Sequence, residues 1–394
     1  MATATLGWIL ATIWIHRGRR IALRWVFAGA VAARLAALHP EPLSDDLYRY
    51  LWDGRVANAG IDPYRFAPDA PELDHLRDDE VWPRINHPRV PTIYPPAAQV
   101  VFRVVDHVAA SQRGIRVAML LADLFTLACL AALLRARGRD PALAIVHGWC
   151  PLAIWESAGG GHVDALGVAF LLAAFVILER SSPKRGWLAG AALGLSAQVK
   201  PVAVLLATAV ARDPTRRTAI ALGALLSLLL FVPHLPAGTA MFRGFLTYAE
   251  HWTFNDCFYS ALLSIGLGPR TARVVLGALL LAVALGASRA WRDAARATAA
   301  ISGAVLLLSP TVHPWYGLWL VPWLPFLPRP FRGAGIALVS LLPVSYVVAS
   351  ELARTGAWRE PAWLWFVVWG PVLAGILLGV VRERRLAAPP HLTA

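Results

Sequence analysis

The stretch GIRVAMLLADLFTLACLAALL, residues 114–134, decides the class of fold. It is predominantly apolar and reaches the length of about 20 residues that a helix needs to cross a bilayer. Three arginines follow it directly, at Arg135, Arg137 and Arg139. Basic clusters of this kind mark the cytoplasmic end of a spanning helix. The stretch therefore predicts a transmembrane helix that ends in the cytoplasm.

Apolar runs recur from one end of the chain to the other. The 394 residues are 57% hydrophobic and 15% charged, whereas about a quarter of the residues in soluble domains are charged. The candidate segments are 21–38, 114–134, 142–156, 163–179, 187–198, 201–211, 218–234, 271–288, 297–309, 316–328, 333–350 and 361–381. A further apolar run at 5–15 is short for a span, so twelve or thirteen segments are expected. We predict an all-α polytopic transmembrane helical bundle that forms a single integral membrane domain over residues 1–394.

The basic residues fall in every second connection between these segments, which is the positive-inside pattern. The pattern agrees with the segment count only if 187–211 is a broken pair of short helices, with Lys200 and Pro201 at an outer turn. We predict a multi-pass protein of the plasma (inner) membrane. The clusters are Arg17/Arg19/Arg20, Arg135/Arg137/Arg139, Arg180/Lys184/Arg185, Arg212/Arg216/Arg217, Arg289/Arg292/Arg296, Arg329/Arg332 and Arg382/Arg384/Arg385.

Charge and cysteine usage argue against other classes. The formal net charge is +13, but the cations are dispersed in short clusters, and nucleic-acid binding needs a continuous basic face. We therefore expect no nucleic-acid partner. The three cysteines show no CxxC spacing, and Cys129 and Cys150 fall within apolar runs, so a disulfide framework or a zinc site is not indicated.

The long first outer loop, residues 39–112, carries the most informative sequence. Asp46, Arg49, Tyr50 and Asp53 are spaced i, i+3, i+4 and i+7, which gives one polar face to a short amphipathic helix. Ser44 is a favourable N-cap for it. The aspartates at 45 and 46 also suit a helix N-terminus electrostatically, and an Asp46–Arg49 ion pair fits the spacing, so a structural role is an alternative to a catalytic one.

The remaining outer connections supply further polar candidates. Lys200 interrupts an apolar segment, and ionisable residues at membrane depth are functional candidates, although snorkelling to the interface is the alternative. His162 and Asp164 follow a run of three glycines, and this H-x-D pattern is too little for a metal site. His313 precedes Pro-Trp-Tyr and is a candidate for binding phosphate or orienting a base.

Several motifs of the first outer loop carry a resemblance to a known family. The stretch Leu43–Tyr50, followed by Trp-Asp-Gly-Arg at 52–55, by Gly60–Tyr64 and by Tyr94-Pro95-Pro96, resembles the GT-C superfamily of polytopic glycosyltransferases. The nearest likeness is to bacterial polyprenol-phosphate-mannose-dependent mannosyltransferases, including family-87-like members. The resemblance implies a GT-C type of fold and an inverting transfer of a sugar, by this likeness mannose, on the outer membrane face.

The resemblance also implies roles for individual residues. Asp46, three residues before an Arg-Tyr pair, corresponds to the catalytic base, with Asp45 as the alternative. The expected partners are a polyprenyl-phosphate-linked sugar donor, a lipid or glycan acceptor and membrane lipids. Adjacent aspartates stand where some relatives have DxD, so the sequence gives no clear support for a divalent cation, and no metal ligands are assigned.

These roles agree with the chemistry that sugar transfer needs. A carboxylate can remove the acceptor's proton, and a phosphate leaving group needs positive charge. The expected donor phosphate and substrate residues are Arg49, Lys200, His313, Tyr94, His162 and Asp164, and the expected acceptor residues are His251, Asn255 and Asp256. A polytopic transporter or lipid flippase is the competing class, and such proteins tend to show inverted repeats, which this chain lacks.

Overall fold

The computed structural model of the chain describes residues 2–180, 186–210 and 214–387. It is 76% helical, and no strand occurs within those three ranges. The prediction of an all-α polytopic protein is confirmed. Three members of the basic clusters, Lys184, Arg185 and Arg212, lie outside the described residues.

The α-helices are numbered in chain order. They are α1 (Ala2–His16), α2 (Leu23–Ala37), α3 (Asp46–Asn58), α4 (Pro96–Ala109), α5 (Gln112–Ala136), α6 (Ile145–Gly148), α7 (Pro151–Ile154), α8 (Asp164–Arg180), α9 (Gly186–Val199), α10 (Val202–Ala207), α11 (Pro214–Leu229), α12 (Ala240–His251), α13 (Tyr259–Ser264), α14 (Pro269–Ala290), α15 (Ala294–Leu308), α16 (Arg332–Leu341), α17 (Tyr346–Thr355) and α18 (Ala362–Ala387).

Shorter helical turns join them. A π-helical turn covers Trp155–Gly159. The 3₁₀ turns are Pro71–Leu76, Trp82–Arg84, Pro141–Ala144, Val232–Ala237, Pro314–Trp319, Val321–Phe326, Arg329–Phe331 and Leu342–Ser345.

Four helical stretches in the described residues are long and apolar enough to cross a membrane. They are Gln112–Ala136, Pro269–Ala290, Arg329–Thr355 and Ala362–Arg384, and a fifth exists if the pair Pro151–Gly159 and Asp164–Glu179, bent by 117°, is one span. Thr3–His16 and Ala294–Leu308 are apolar but shorter. The full count of twelve or thirteen segments stays a prediction.

The apolar segment predicted at 316–328 is not an α-helix. It forms the two 3₁₀ turns that begin at Pro314 and Val321. Prolines at 322, 325 and 328 remove backbone donors and clash with the preceding turn, which prevents a continuous helix. Because these turns are almost entirely buried in protein, irregular backbone is tolerated there even at membrane depth.

Helices α9 and α10 are separated by Lys200 and Pro201. Helix α9 packs against α11 through glycines. A Cβ atom on Gly190 would overlap the carbonyl oxygen of Ala219, and one on Gly223 would overlap that of Gly190. Small residues of this kind let two helix backbones approach closely in a membrane protein. The contact fixes the helix that carries Lys200 at its C-terminal end.

The helix of the first outer loop, α3, begins at Asp46, one residue later than a Ser44 cap predicts. The Ser44 hydroxyl accepts a hydrogen bond from the Asp46 amide at 3.3 Å. Helix α3 packs closely on α4, since a Cβ atom on Gly54 would overlap the carbonyl oxygen of Phe102. Tyr50 stacks on Phe102 with ring centroids 4.5 Å apart. The N-terminal end of α3 is thus held on a rigid two-helix unit.

Candidate active site

A cavity of about 1440 Å³ opens beside the N-terminal end of α3. The first outer loop, the break between α9 and α10, and helices α12, α14, α15 and α17 contribute to its wall. Of the predicted site residues, it is lined by Asp45, Asp46, Arg49, Tyr94, Asp164, Lys200, His251 and His313. His162, Asn255 and Asp256 do not line it.

The two aspartates are oriented by one amide group. The Asn86 side chain donates to Oδ1 of Asp45 at 2.8 Å and to Oδ1 of Asp46 at 2.9 Å. Desolvation and the adjacent Asp46 charge raise the pKa of the Asp45 carboxyl, while the Asn86 hydrogen bond opposes this shift. Two carboxylates are therefore held side by side at the cavity, an arrangement suited to accepting a proton.

Arg49 does not pair with Asp46, the alternative that the spacing allowed. Its Nε donates to Asp53 at 2.9 Å, one turn further along α3, and an Nη donates to the Val90 carbonyl at 2.9 Å. The other oxygen of Asp53 accepts from Gln99 at 3.0 Å. Arg49 thus ties α3 to the chain at 90–99 while its guanidinium borders the cavity.

Lys200 forms a close pair with Asp164 across the cavity wall. Its Nζ lies 2.8 and 2.9 Å from the two carboxylate oxygens, and Trp319 donates to the same carboxylate at 2.6 Å. The ammonium group also lies 4.1 Å from the ring centre of Tyr316, a cation–π geometry. Lys200 is thus paired within the protein, and it lines the cavity.

His313 is an uncharged histidine in this environment. Burial, and then the positive charge of Lys200, lower its pKa to about 3. Its ring is parallel to that of Trp315, with centroids 4.3 Å apart, and stacks on Phe254 at 4.8 Å. A neutral imidazole can donate or accept a hydrogen bond, but it supplies no positive charge to a phosphate.

The remaining predicted residues have different surroundings. His251 lines the cavity, and its Nδ1 lies 3.0 Å from the Thr247 carbonyl. Asn255 donates through its side chain to the Val312 carbonyl at 3.4 Å, and Asp256 accepts from the amide and hydroxyl of Ser260, both at 2.7 Å. Asn255 and Asp256 therefore stabilise the backbone before α13. His162 is fully buried behind Trp315.

Sequence reasoning missed several residues of the wall. Arg273, on α14, donates to the Trp252 carbonyl at 3.0 Å and lines the cavity. Asn86 and His87 also line the cavity, and His87 packs edge-on against Trp252 with ring centroids 4.6 Å apart. The available signal for Arg273 was its position at the outer end of an apolar run, where the positive-inside rule does not expect a cation.

The apolar part of the wall lies between α10, α14 and α15. Its lining residues there are Leu205, Leu276, Leu280, Val305 and Leu308. Among the described residues, no group of three or more His, Cys, Asp or Glu side chains could hold a metal ion. The site thus combines a carboxylate pair, cations and an extended apolar surface.

This chain belongs to the alpha-(1->6)-mannopyranosyltransferase family, whose N-terminal domain matches residues 1–213. Neither a curated protein nor a solved structure matches the chain. The matched residues include α3 and extend past the break that holds Lys200. The chain is therefore a glycosyltransferase with the helical architecture of a membrane protein, and its family supports mannosyl transfer from a sugar donor to an acceptor.

Proposed function

We propose that this protein transfers mannose from a polyprenyl-phosphate donor to a lipid or glycan acceptor on the outer face of the plasma membrane. The observation that carries the proposal is one cavity lined by the Asp45–Asp46 pair, by Lys200, Arg49 and Arg273, and by an apolar surface on α14 and α15. A lipid-phosphate sugar needs all three features, because it combines a reacting sugar, a charged phosphate and a hydrocarbon chain.

The proposed reaction is a single displacement at the anomeric carbon of the donor. The acceptor hydroxyl attacks C1, its proton passes to Asp46, and the bond from C1 to the phosphate oxygen breaks. The lipid phosphate leaves with the electron pair and needs no proton. Inversion makes an α-linked product from a β-linked donor, and the linkage in the family's name suggests the 6-hydroxyl of a mannose as the acceptor.

Each wall residue has a role in this proposal. Lys200, Arg49 and Arg273 supply positive charge for the phosphate, with Arg able to form a bidentate contact. Asp164 fixes Lys200 in place, Tyr94 and neutral His313 shape the sugar site, and His251 borders the acceptor. Asn255 and Asp256 act on the acceptor only indirectly, by holding the loop before α13.

The charge pattern supports the proposed face of the membrane. The basic cluster Arg17/Arg19/Arg20 precedes α2, and α3 follows the other end of α2. If the basic clusters face the cytoplasm, α3 lies on the outer side. Because nucleotide sugars are made in the cytoplasm, an outward site fits a lipid-linked donor. A GT-C type of architecture belongs to the same proposal.

The donor class is tested with purified protein in lipid nanodiscs and a membrane extract as the source of acceptors. Polyprenyl-phosphate [³H]mannose and GDP-[³H]mannose are compared at equal concentration, and labelled product is counted after extraction. The proposal expects product only from the lipid-linked donor. Product from GDP-mannose alone would contradict it, and no product from either donor, together with movement of lipid between leaflets, would favour a flippase.

A further inference from the structure

A fully buried acid–histidine pair lies one layer behind the cavity wall. The side chains of Glu156 and His162 are both 0% exposed, and Nδ1 of His162 lies 3.0 Å from Oε2 of Glu156. The same carboxylate oxygen accepts a hydrogen bond from the Tyr346 hydroxyl at 2.8 Å. Tyr346 lines the cavity, whereas the acid and the histidine do not.

A π-helical turn and the glycines that follow it position this pair. Glu156 lies in the π-helical turn Trp155–Gly159, and single π turns within α-helical segments are frequent at functional sites. A Cβ atom on Gly160 would lie 2.6 Å from the His162 ring. Gly161 adopts a left-handed φ of 71°, which glycine accepts readily. The position of the imidazole therefore requires glycine at 160, and the backbone conformation favours glycine at 161.

A stack of rings joins the buried histidine to the cavity. The His162 ring is nearly parallel to Trp315, with centroids 4.0 Å apart and a 13° angle. Trp315 is in turn parallel to His313 at 4.3 Å. The face of a tryptophan ring attracts a cation, so this contact stabilises the protonated form of His162.

The surrounding negative charges also favour the protonated form of His162. Burial lowers the pKa of His162, but the hydrogen bond and charge of Glu156, followed by the charges of Asp46 and Asp164, raise it above its ordinary value overall. The positive charge of His162 in turn lowers the pKa of Asp45.

Other charged groups border the turn as well. Lys200 is paired with Asp164. Arg116 donates to the carbonyl oxygens of Ala158, Ala37 and Pro40.

We propose that Glu156 and His162 form a positioning unit, in which Glu156 keeps His162 protonated and the imidazolium behind Trp315 keeps the aspartate pair ionised. Asp45 and Asp46 lie next to each other at the cavity, and the charge of Asp46 disfavours ionisation of Asp45. A fixed cation on the protein side of the site offsets this repulsion without contacting the substrate. The inference rests on the proposed function, in which an ionised aspartate is the base.

The test is the pH profile of kcat/KM for Glu156→Gln and His162→Gln. Loss of the imidazolium charge makes the aspartates harder to ionise, so the acidic limb moves to higher pH, by roughly 0.5–1 unit. Glu72→Gln and His75→Gln, at exposed positions of the 71–76 turn, are matched controls that leave the limb in place. If Glu156→Gln does not fold, Glu156→Asp keeps the charge and gives a smaller shift in the same direction.

A second measurement is independent of catalysis. ¹⁵N NMR of histidine-labelled protein, with the signal assigned by its loss in His162→Gln, reports the protonation state of the ring directly. The ring should remain an imidazolium to higher pH in the wild type than in Glu156→Gln, because the Glu156 carboxylate raises its pKa. Titration of the ring at the same pH in both proteins, or lower activity with an unmoved acidic limb, would overturn the inference. A wild type that transfers no mannose would refute the proposed function, while the NMR result would still decide the state of the pair.

Discussion

At the scale of single residues, the local structure of the first outer loop could be predicted from the sequence. The spacing around Asp46 predicted a helix with a polar face, and the structure has α3 there. The spacing did not predict that Asn86, forty positions away, would donate to both aspartates. Contacts between residues distant in sequence depend on how loops fold back, which periodicity does not encode.

Asn86→Leu tests the shared amide. It removes a donor from both aspartates, and the Asn86 hydrogen bond lowers the pKa of Asp45. The pKa of the Asp45 carboxyl should therefore rise, and the acidic limb of the pH profile should move to higher pH. A hydrogen bond to a charged group contributes about 1.5–3 kcal/mol, so kcat/KM on the acidic limb should fall about tenfold after some solvent screening.

The control for this variant is Asn58→Leu, on the exposed C-terminal end of the same helix. It should leave the pH profile unchanged. Equal profiles for the two variants would show that Asn86 does not orient the base.

At the scale of elements, hydropathy located the apolar segments but not their secondary structure. The segment at 316–328 is buried as expected of a core segment, yet its prolines make two 3₁₀ turns. Those turns direct Trp315, Tyr316 and Trp319 toward the cavity. A regular helix would present a different set of side chains, so the composition of the wall depended on a feature that hydropathy alone does not detect.

The contact between α9 and α11 gives a prediction at this scale. Gly190→Ala places a methyl group onto the Ala219 carbonyl, and overpacking of this kind costs about 1–3 kcal/mol or more. Thermal unfolding in detergent should show a Tm several degrees below the wild type. Gly370→Ala, in a helix where a Cβ would meet nothing within 4 Å, is the matched control. Equal Tm values for the two variants would contradict the close packing.

At the scale of the whole molecule, a buried ionic cluster joins three helices. Arg34 on α2 pairs with Asp123 on α5, and His147 on α6 lies 2.8 Å from the same carboxylate. All three side chains are at most 1% exposed. The sequence shows Arg34 and Asp123 as isolated charges within apolar runs, and only the assembled bundle makes them partners.

Asp123→Asn should therefore destabilise the whole bundle. It leaves the buried Arg34 without its counter-charge, and breaking a buried pair in this way costs about 3–5 kcal/mol. The control is Asp74→Asn, which removes the ion pair between Arg77 and Asp74. The Asp74 side chain is 60% exposed, and such surface pairs contribute at most about 1 kcal/mol. The yield of folded protein and the Tm should fall for the first variant only. A Tm loss shared by both would argue against a structural role for the cluster.

The central claim is that Asp46 is the base for mannosyl transfer. The measurement is transfer from polyprenyl-phosphate [³H]mannose by the wild type, Asp46→Asn, Asp45→Asn and the exposed control Asp79→Asn, all folded in nanodiscs. A general base contributes about 10²–10⁴-fold, so Asp46→Asn should lose at least about 100-fold in kcat. Asp79→Asn should match the wild type, and Asp45→Asn should keep most of its activity. Retained activity in Asp46→Asn, with the loss in Asp45→Asn instead, would contradict the account.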